Sequence, residues 1–257
     1  MTRWSWLPVV LALAGCSIAA PPTPVPSSSL KAGSEMAVPG PAQAPDGERS
    51  VVHVTALAPS CSKTFKGTGF VYAPQRVVTT AHLVAGAVPV SPLVTTADGK
   101  VYEGRVVAFD PDVDVAVLYV PKLPAPPLRI TAAPKPLLPI LRLPLGEALL
   151  LGHRKGATRL ETQSVVLEGR LEAQGPNLYK EGEVSRMVLE FSADTSEGLS
   201  GAPLIDEEGA VIGMVFAASI HDPERGYALV GEELLAVTDG AADATEYVST
   251  QRCKTAD

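Results

Sequence analysis

Three short segments of the chain hold side chains that could act together on a carbonyl. In Val77-Val78-Thr79-Thr80-Ala81-His82, a β-branched run ends on small residues and then presents an imidazole, so His82 falls at a strand end. Taken alone, such a histidine is equally a satisfied polar residue. In Asp112-Val113-Asp114-Val115-Ala116-Val117-Leu118, a carboxylate stands directly before an apolar strand. Aspartate at a strand start is ordinary turn chemistry, and Asp112 fits that use. Asp114 has valine on both sides, so its charge sits close to a core and needs a partner such as an imidazole N–H. The third segment, Gly198-Leu199-Ser200-Gly201, puts glycines two before and one after a serine. A plain surface turn has the same composition, but such a loop also exposes Oγ and turns backbone N–H groups toward one point, as a developing oxyanion requires. Together the three supply a general base, an orienting acid and a nucleophile in the order His, Asp, Ser.

The elements that must hold these groups read as strands. Short β-rich runs cover 50–57, 70–72, 76–80, 101–109 and 115–120, and a second series covers 148–151, 162–171, 187–191, 211–217 and 227–230. Turn residues separate them, as in an all-β sandwich or barrels. Only 81–86 and 232–238 have a helical pattern. Between the two series, residues 121–144 contain eight prolines, which cannot donate to a sheet ladder, so this stretch is a connector. It divides 50–254 into a first half (50–120) and a second (145–254). His82 and Asp114 fall in the first half and Ser200 in the second, which predicts a site at their junction.

Composition narrows the function further. The 257 residues include 28 acidic and 21 basic side chains, a formal charge of −7, which argues against nucleic acid as the main partner. A hydrophobic share of 46% suits a folded domain. The N-terminus has another role. Arg3 precedes an apolar stretch of about a dozen residues, too short to span a bilayer, in the layout of a secretory signal over 1–15. Its end, Leu13-Ala14-Gly15-Cys16, resembles a bacterial lipobox, which implies lipidation of Cys16 and a membrane partner; an ordinary signal containing a chance cysteine is the alternative. Residues 16–49, with seven prolines among Ser, Ala and Gly, read as a disordered stalk. His53, His153 and His221 have no metal-ligand spacing, and no motif calls for a cofactor.

The segments around His82, Asp114 and Ser200, with Gly67-Thr68-Gly69-Phe70-Val71 before them and Gly209-Ala210-Val211-Ile212-Gly213 after, resemble the trypsin/chymotrypsin superfamily in order and spacing. The likeness is to its bacterial extracytoplasmic branch, nearest to the periplasmic domains of actinobacterial acid-resistance serine proteases. It spans residues 50–254 and implies two six-stranded antiparallel β-barrels with a short C-terminal helix. It implies His82 as general base, Asp114 as its orienting acid, Ser200 as nucleophile, and the backbone N–H groups of Gly198 and Ser200 as the oxyanion hole. Protein or peptide would be the substrate.

Some positions depart from the family pattern. Thr80 stands where Ala is usual, Leu83 where animal members carry a cysteine, Leu199 where Asn or Asp precedes the serine, and Ala202 where Gly follows. Without an acid at 199, the zymogen salt bridge of digestive members has no counterpart, and an inactive protease-like domain that binds peptides or cell-wall partners is the alternative function. Asp194, six residues before Ser200, occupies the position of a pocket-floor acid in trypsin-type members; a structural loop carboxylate is the other reading. An α/β-hydrolase is excluded, because the order is wrong and Ala202 breaks its serine motif. Finally, three cysteines leave an even pair once Cys16 is set aside, so Cys61 and Cys253 are expected to form a disulfide in an oxidising compartment.

Overall fold

Alternation of buried and exposed positions begins at once in β1 (Val51–Ala58), where Val52, Val54, Ala56 and Ala58 face inward while His53, Thr55 and Leu57 face out. The computed structural model describes residues 47–253 apart from 137–142, 158 and 196, and all of them belong to one compact unit, Pro39–Asp257. Cys16, the expected signal segment and residues 16–46 of the expected stalk lie outside the described residues; the remainder of the stretch expected as stalk, 47–49, is instead the start of a short helix, Gly47–Ser50, with Gly47 and Ser50 buried.

The first half continues with β2 (Lys63–Ala73), β3 (Arg76–Thr79), β4 (Leu93–Thr95), β5 (Val101–Glu103), β6 (Arg105–Asp110) and β7 (Val115–Tyr119). These make a seven-stranded antiparallel sheet in the order β5-β4-β1-β2-β3-β7-β6. The run expected as one strand over 101–109 is two, because Gly104 leaves the ladder and donates its N–H to the carbonyl of Pro92 (2.8 Å). The second half comprises β8 (Gly146–Gly152), β9 (Glu161–Pro176), β10 (Glu183–Ser192), β11 (Pro203–Ile205), β12 (Val211–Ala218) and β13 (Arg225–Val230), closed as a six-stranded barrel. A short helix, Gly231–Thr238, follows. The fold is therefore mostly β, two curled antiparallel sheets with a C-terminal helix, as the resemblance implied. It has one more strand in the first sheet than expected.

An apolar layer joins the halves. Val51, Phe70, Val78 and Val115 of the first pack with Leu151, Ile205, Met214 and Leu229 of the second and with Leu234 of the C-terminal helix. Full burial of each such side chain contributes about 1.5–3 kcal/mol, so sliding one half past the other is costly. The proline-rich connector straps the same seam. Leu128 N–H donates to Val71 O (2.8 Å), and Thr131 and Arg129 exchange backbone bonds with Val211 (2.9 and 2.8 Å). The expected disulfide is present, with Cys61 and Cys253 at a Cα–Cα distance of 6.3 Å. It fastens the irregular segment beyond the helix, not the helix itself. There Thr250 O accepts from Gly86 N–H (2.9 Å) and Thr250 Oγ1 from Val88 N–H (3.1 Å).

Candidate active site

β3 ends at Thr79, and the chain turns into a four-residue helix, Ala81–Val84, that carries His82. Asp114 is the last residue before β7. Because β3 and β7 are adjacent, with Thr79 opposite Ala116, the turn after one strand and the residue before the other meet at one edge. Asp114 has φ +70°, a left-handed conformation that Asp tolerates better than most residues. Four hydrogen bonds hold it there, one of them from its own N–H to Asp110 O (3.0 Å). Its Oδ2 accepts from His82 Nδ1 (2.7 Å), its Oδ1 from the His82 backbone N–H (2.8 Å), and its carbonyl from Ala81 N–H (3.2 Å). With the carboxylate on Nδ1, the lone pair of a neutral imidazole resides on Nε2. The two side chains are only 18% and 11% exposed, so the pair acts in a medium less screening than water.

Ser200 lies across the seam, in the turn between β10 and β11. Gly198 (φ +102°) and Gly201 (φ +86°) take backbone conformations that a side chain would resist. At both, a Cβ would also collide with its neighbours, His153 O at the first and Thr68 O at the second. Leu199, where relatives of the implied family carry a polar residue, is 4% exposed and packs with Ala202 in the core of the second barrel. Apolar burial anchors the loop where an ion pair would elsewhere. Ala202 N–H donates to Leu199 O (2.9 Å), and Gly201 N–H donates to Val215 O (2.7 Å). From the first half, Thr68 N–H donates to Ser200 O (2.8 Å). The N–H groups of Gly198 and Ser200 donate to no described residue.

The loops of Ser200 and His82 approach over Gly67, whose missing Cβ would meet both the Leu83 side chain and Ser200 O. The fold thus brings all three expected residues to one edge, and the His82–Asp114 contact is formed. No hydrogen bond joins Ser200 Oγ to His82 among the described residues; Nε2 lies 3.4 Å from Thr80 Oγ1. Long nucleophile–base contacts are common before substrate binds.

Two recesses flank this edge. One of about 390 Å³ is lined by His82, Asp114, Leu178, Arg186, Phe216 and Ala217. Its wall is the tip of the long β9–β10 hairpin, which the sequence pattern did not extend far enough to reveal. Arg186 Nε donates to Asp112 O (2.6 Å), Asn177 donates to Asp112 Oδ1 (2.9 Å), and Leu178 N–H donates to Pro111 O (3.0 Å). Asp112 is thus the turn residue expected, held by the second half. The other recess, about 950 Å³, has Gly198 and Lys155 on its rim and includes His53, Lys66 and His153. His153 is buried with Nε2 unpartnered, and its ring meets that of His53 edge-on at 5.5 Å between centroids. Burial, reinforced by His53, pushes its pKa down to about 4.

Asp194 is not a lone pocket acid. Its side chain is 71% exposed and paired with Arg154 Nη1 at 2.8 Å, and Arg154 Nη2 donates to the Asp194 carbonyl (3.0 Å). Arg154 is held in turn by Glu161 (2.8 Å) and Gln163 (2.7 Å). A basic substrate side chain would have to compete with that guanidinium, so the geometry is that of a loop carboxylate. Among the described residues, no cluster of three His, Cys, Asp or Glu side chains could hold a metal.

A glycine-flanked serine loop and a His–Asp pair at the junction of two curled β-halves agree with the match of residues 67–214 to the trypsin-like peptidase domain. The chain belongs to that family and carries a trypsin-like serine protease domain. It is 40% identical over 207 residues to the serine protease Rv3671c of Mycobacterium tuberculosis, covering 80% of this chain and 49% of that protein. The chain thus spans about half the length of the curated relatives it matches. The crystal structure of the active form of Rv3671c superposes with a TM-score of 0.73 at 38% identity, covering 81% of this chain and 87% of that one. The inactive form gives 0.63 at 36% identity, covering 76% and 90%.

Proposed function

We propose that the protein is a serine endopeptidase that cleaves peptide bonds through His82, Asp114 and Ser200. The observation that carries this reading is the two-point grip of Asp114 on His82, on Nδ1 and on the backbone N–H, beside a serine loop whose Gly198 and Ser200 N–H groups donate to no described residue. His82 Nε2 takes the proton of Ser200 Oγ as Oγ attacks the peptide carbonyl carbon. Gly198 and Ser200 N–H stabilise the oxyanion, and His82 returns the proton to the leaving amine. Water, deprotonated by the same imidazole, then releases the acid product from the acyl-enzyme.

The test is labelling by a fluorophosphonate probe together with turnover of a peptide library. Labelling that disappears in Ser200→Ala is the expected result. Absence of labelling in the folded wild-type protein would favour the alternative, a peptide-binding relative without catalysis. The Cys16 lipobox and the stalk support anchoring at the outer face of a bacterial membrane, with peptide or protein substrates met there. Mass spectrometry of the cell-derived protein decides this by the presence or absence of a diacylglyceryl group on Cys16.

A further inference from the structure

Thr68 lies in the middle of the Gly67-Thr68-Gly69 run of β2, in the half that does not carry the nucleophile, and it is fully buried. Every polar group it owns is committed toward the site. Its hydroxyl donates to Gly198 O (2.9 Å) and accepts from the His153 backbone N–H (2.9 Å). Its own N–H donates to Ser200 O (2.8 Å), and its carbonyl accepts from Thr79 Oγ1 (2.7 Å), three residues before His82.

These bonds bear on the direction of the oxyanion donors. In a planar trans peptide the N–H points opposite to the C=O of the same unit. The peptide between Glu197 and Gly198 has its carbonyl held by Lys155 N–H (2.7 Å), so Gly198 N–H faces away from that strand end. The next peptide has its carbonyl held by Thr68 Oγ1. Gly198 has no Cβ and a positive φ, so its backbone alone imposes little on the rotation of either unit. Two side-on hydrogen bonds must supply that restraint, and one of them comes from a side chain.

We propose that Thr68 is the positioning residue of the oxyanion loop: its hydroxyl holds the carbonyl of Gly198 and its N–H the carbonyl of Ser200, while Lys155 and Ala202 N–H hold the carbonyls of the preceding peptides, so that each donor residue is fixed on both sides and its N–H cannot rotate away from the common point. This rests on the reading of Ser200 as the nucleophile. Thr68 touches no reacting atom; it acts through Gly198 and Ser200. It also couples the halves, since the same residue is bonded to Thr79 on the base side and to the serine loop on the other.

The experiment compares wild type, Thr68→Ser, Thr68→Val and Ser200→Ala in the full chain. Each is assayed for kcat and KM on one peptide substrate, for the affinity of a peptide boronate that forms a tetrahedral adduct, and for thermal unfolding. Thr68→Val should lower kcat by about 10–100-fold and weaken the boronate in parallel, somewhat less than deleting an oxyanion donor outright. KM should stay within about threefold, and Thr68→Ser should restore kcat. If Val does not fold, Thr68→Ala is read in the same way, since it removes the hydroxyl without placing a methyl against Gly198 O. A wild-type kcat in folded Thr68→Val, or a loss that only follows the folded fraction, overturns the role of Thr68 while leaving Ser200 intact. Inactive wild type without probe labelling instead overturns the protease reading itself.

Discussion

Replacing His153 with leucine should flatten the dependence of stability on acid. In the folded protein its imidazole is shut away beside His53, with Nε2 unpartnered and the pKa pushed from 6.5 to about 4. The unfolded chain binds a proton at His153 as the pH falls through 6.5, whereas the folded chain declines it until about 4. Between those values the unfolded state holds more protons, so stability falls as the pH falls; above 6.5 the effect is absent, and below 4 it has saturated. The gap between the two values, at about 1.4 kcal/mol for each tenfold in the proton equilibrium, gives about 3 kcal/mol as an upper figure. Protein relaxation around the charged ring lowers that to about 2–3 kcal/mol. Urea unfolding at intervals from pH 7.5 to pH 4 measures it in both proteins. Contributions from other groups are common to wild type and His153→Leu and cancel in the difference. The expected result is a wild-type curve that loses about 2–3 kcal/mol more than the variant over that window. Curves that run parallel would refute the assignment, whatever the variant's stability at neutral pH.

Asp114→Asn should reduce kcat by about 10⁴-fold with little change in KM, as the equivalent change does elsewhere in this family, because the amide no longer fixes Nδ1–H of His82; steady-state kinetics measures it. Reducing the Cys61–Cys253 bridge, which spans 192 residues of sequence, should lower stability by up to about 5 kcal/mol in the chain-entropy model, seen as a drop in urea midpoint on adding dithiothreitol. Asp194→Ala should change stability by less than about 1 kcal/mol, because its carboxylate is largely exposed and Arg154 keeps Glu161 and Gln163 as partners. It should leave the ranking of P1 side chains in a substrate-profiling screen unchanged.

Composition and pattern alone determined that this chain is two β-rich halves joined by a proline connector, with a candidate base, acid and nucleophile in the order His82, Asp114, Ser200. Those properties are local. A β-branched run, a glycine beside a serine and a proline that cannot donate leave their marks within a few residues. The Cys61–Cys253 pairing was legible too, by count. Strands too short to show a period, β4 and β11, were not, nor was the break at Gly104, which depends on a distant carbonyl of Pro92. The partners of each site residue were decided only in three dimensions. Nothing near Asp194 in sequence announces Arg154, forty positions earlier. In the sequence Leu199 is only a departure from the family pattern, and the fold gives it a role by seating its side chain in the barrel core. Thr68 read as one letter of a glycine motif, yet four hydrogen bonds to three separate segments meet on it. Hydrogen bonds and buried contacts are made between whatever groups the fold brings within about 3 Å, and the chain encodes them only through the register of strands far apart in sequence.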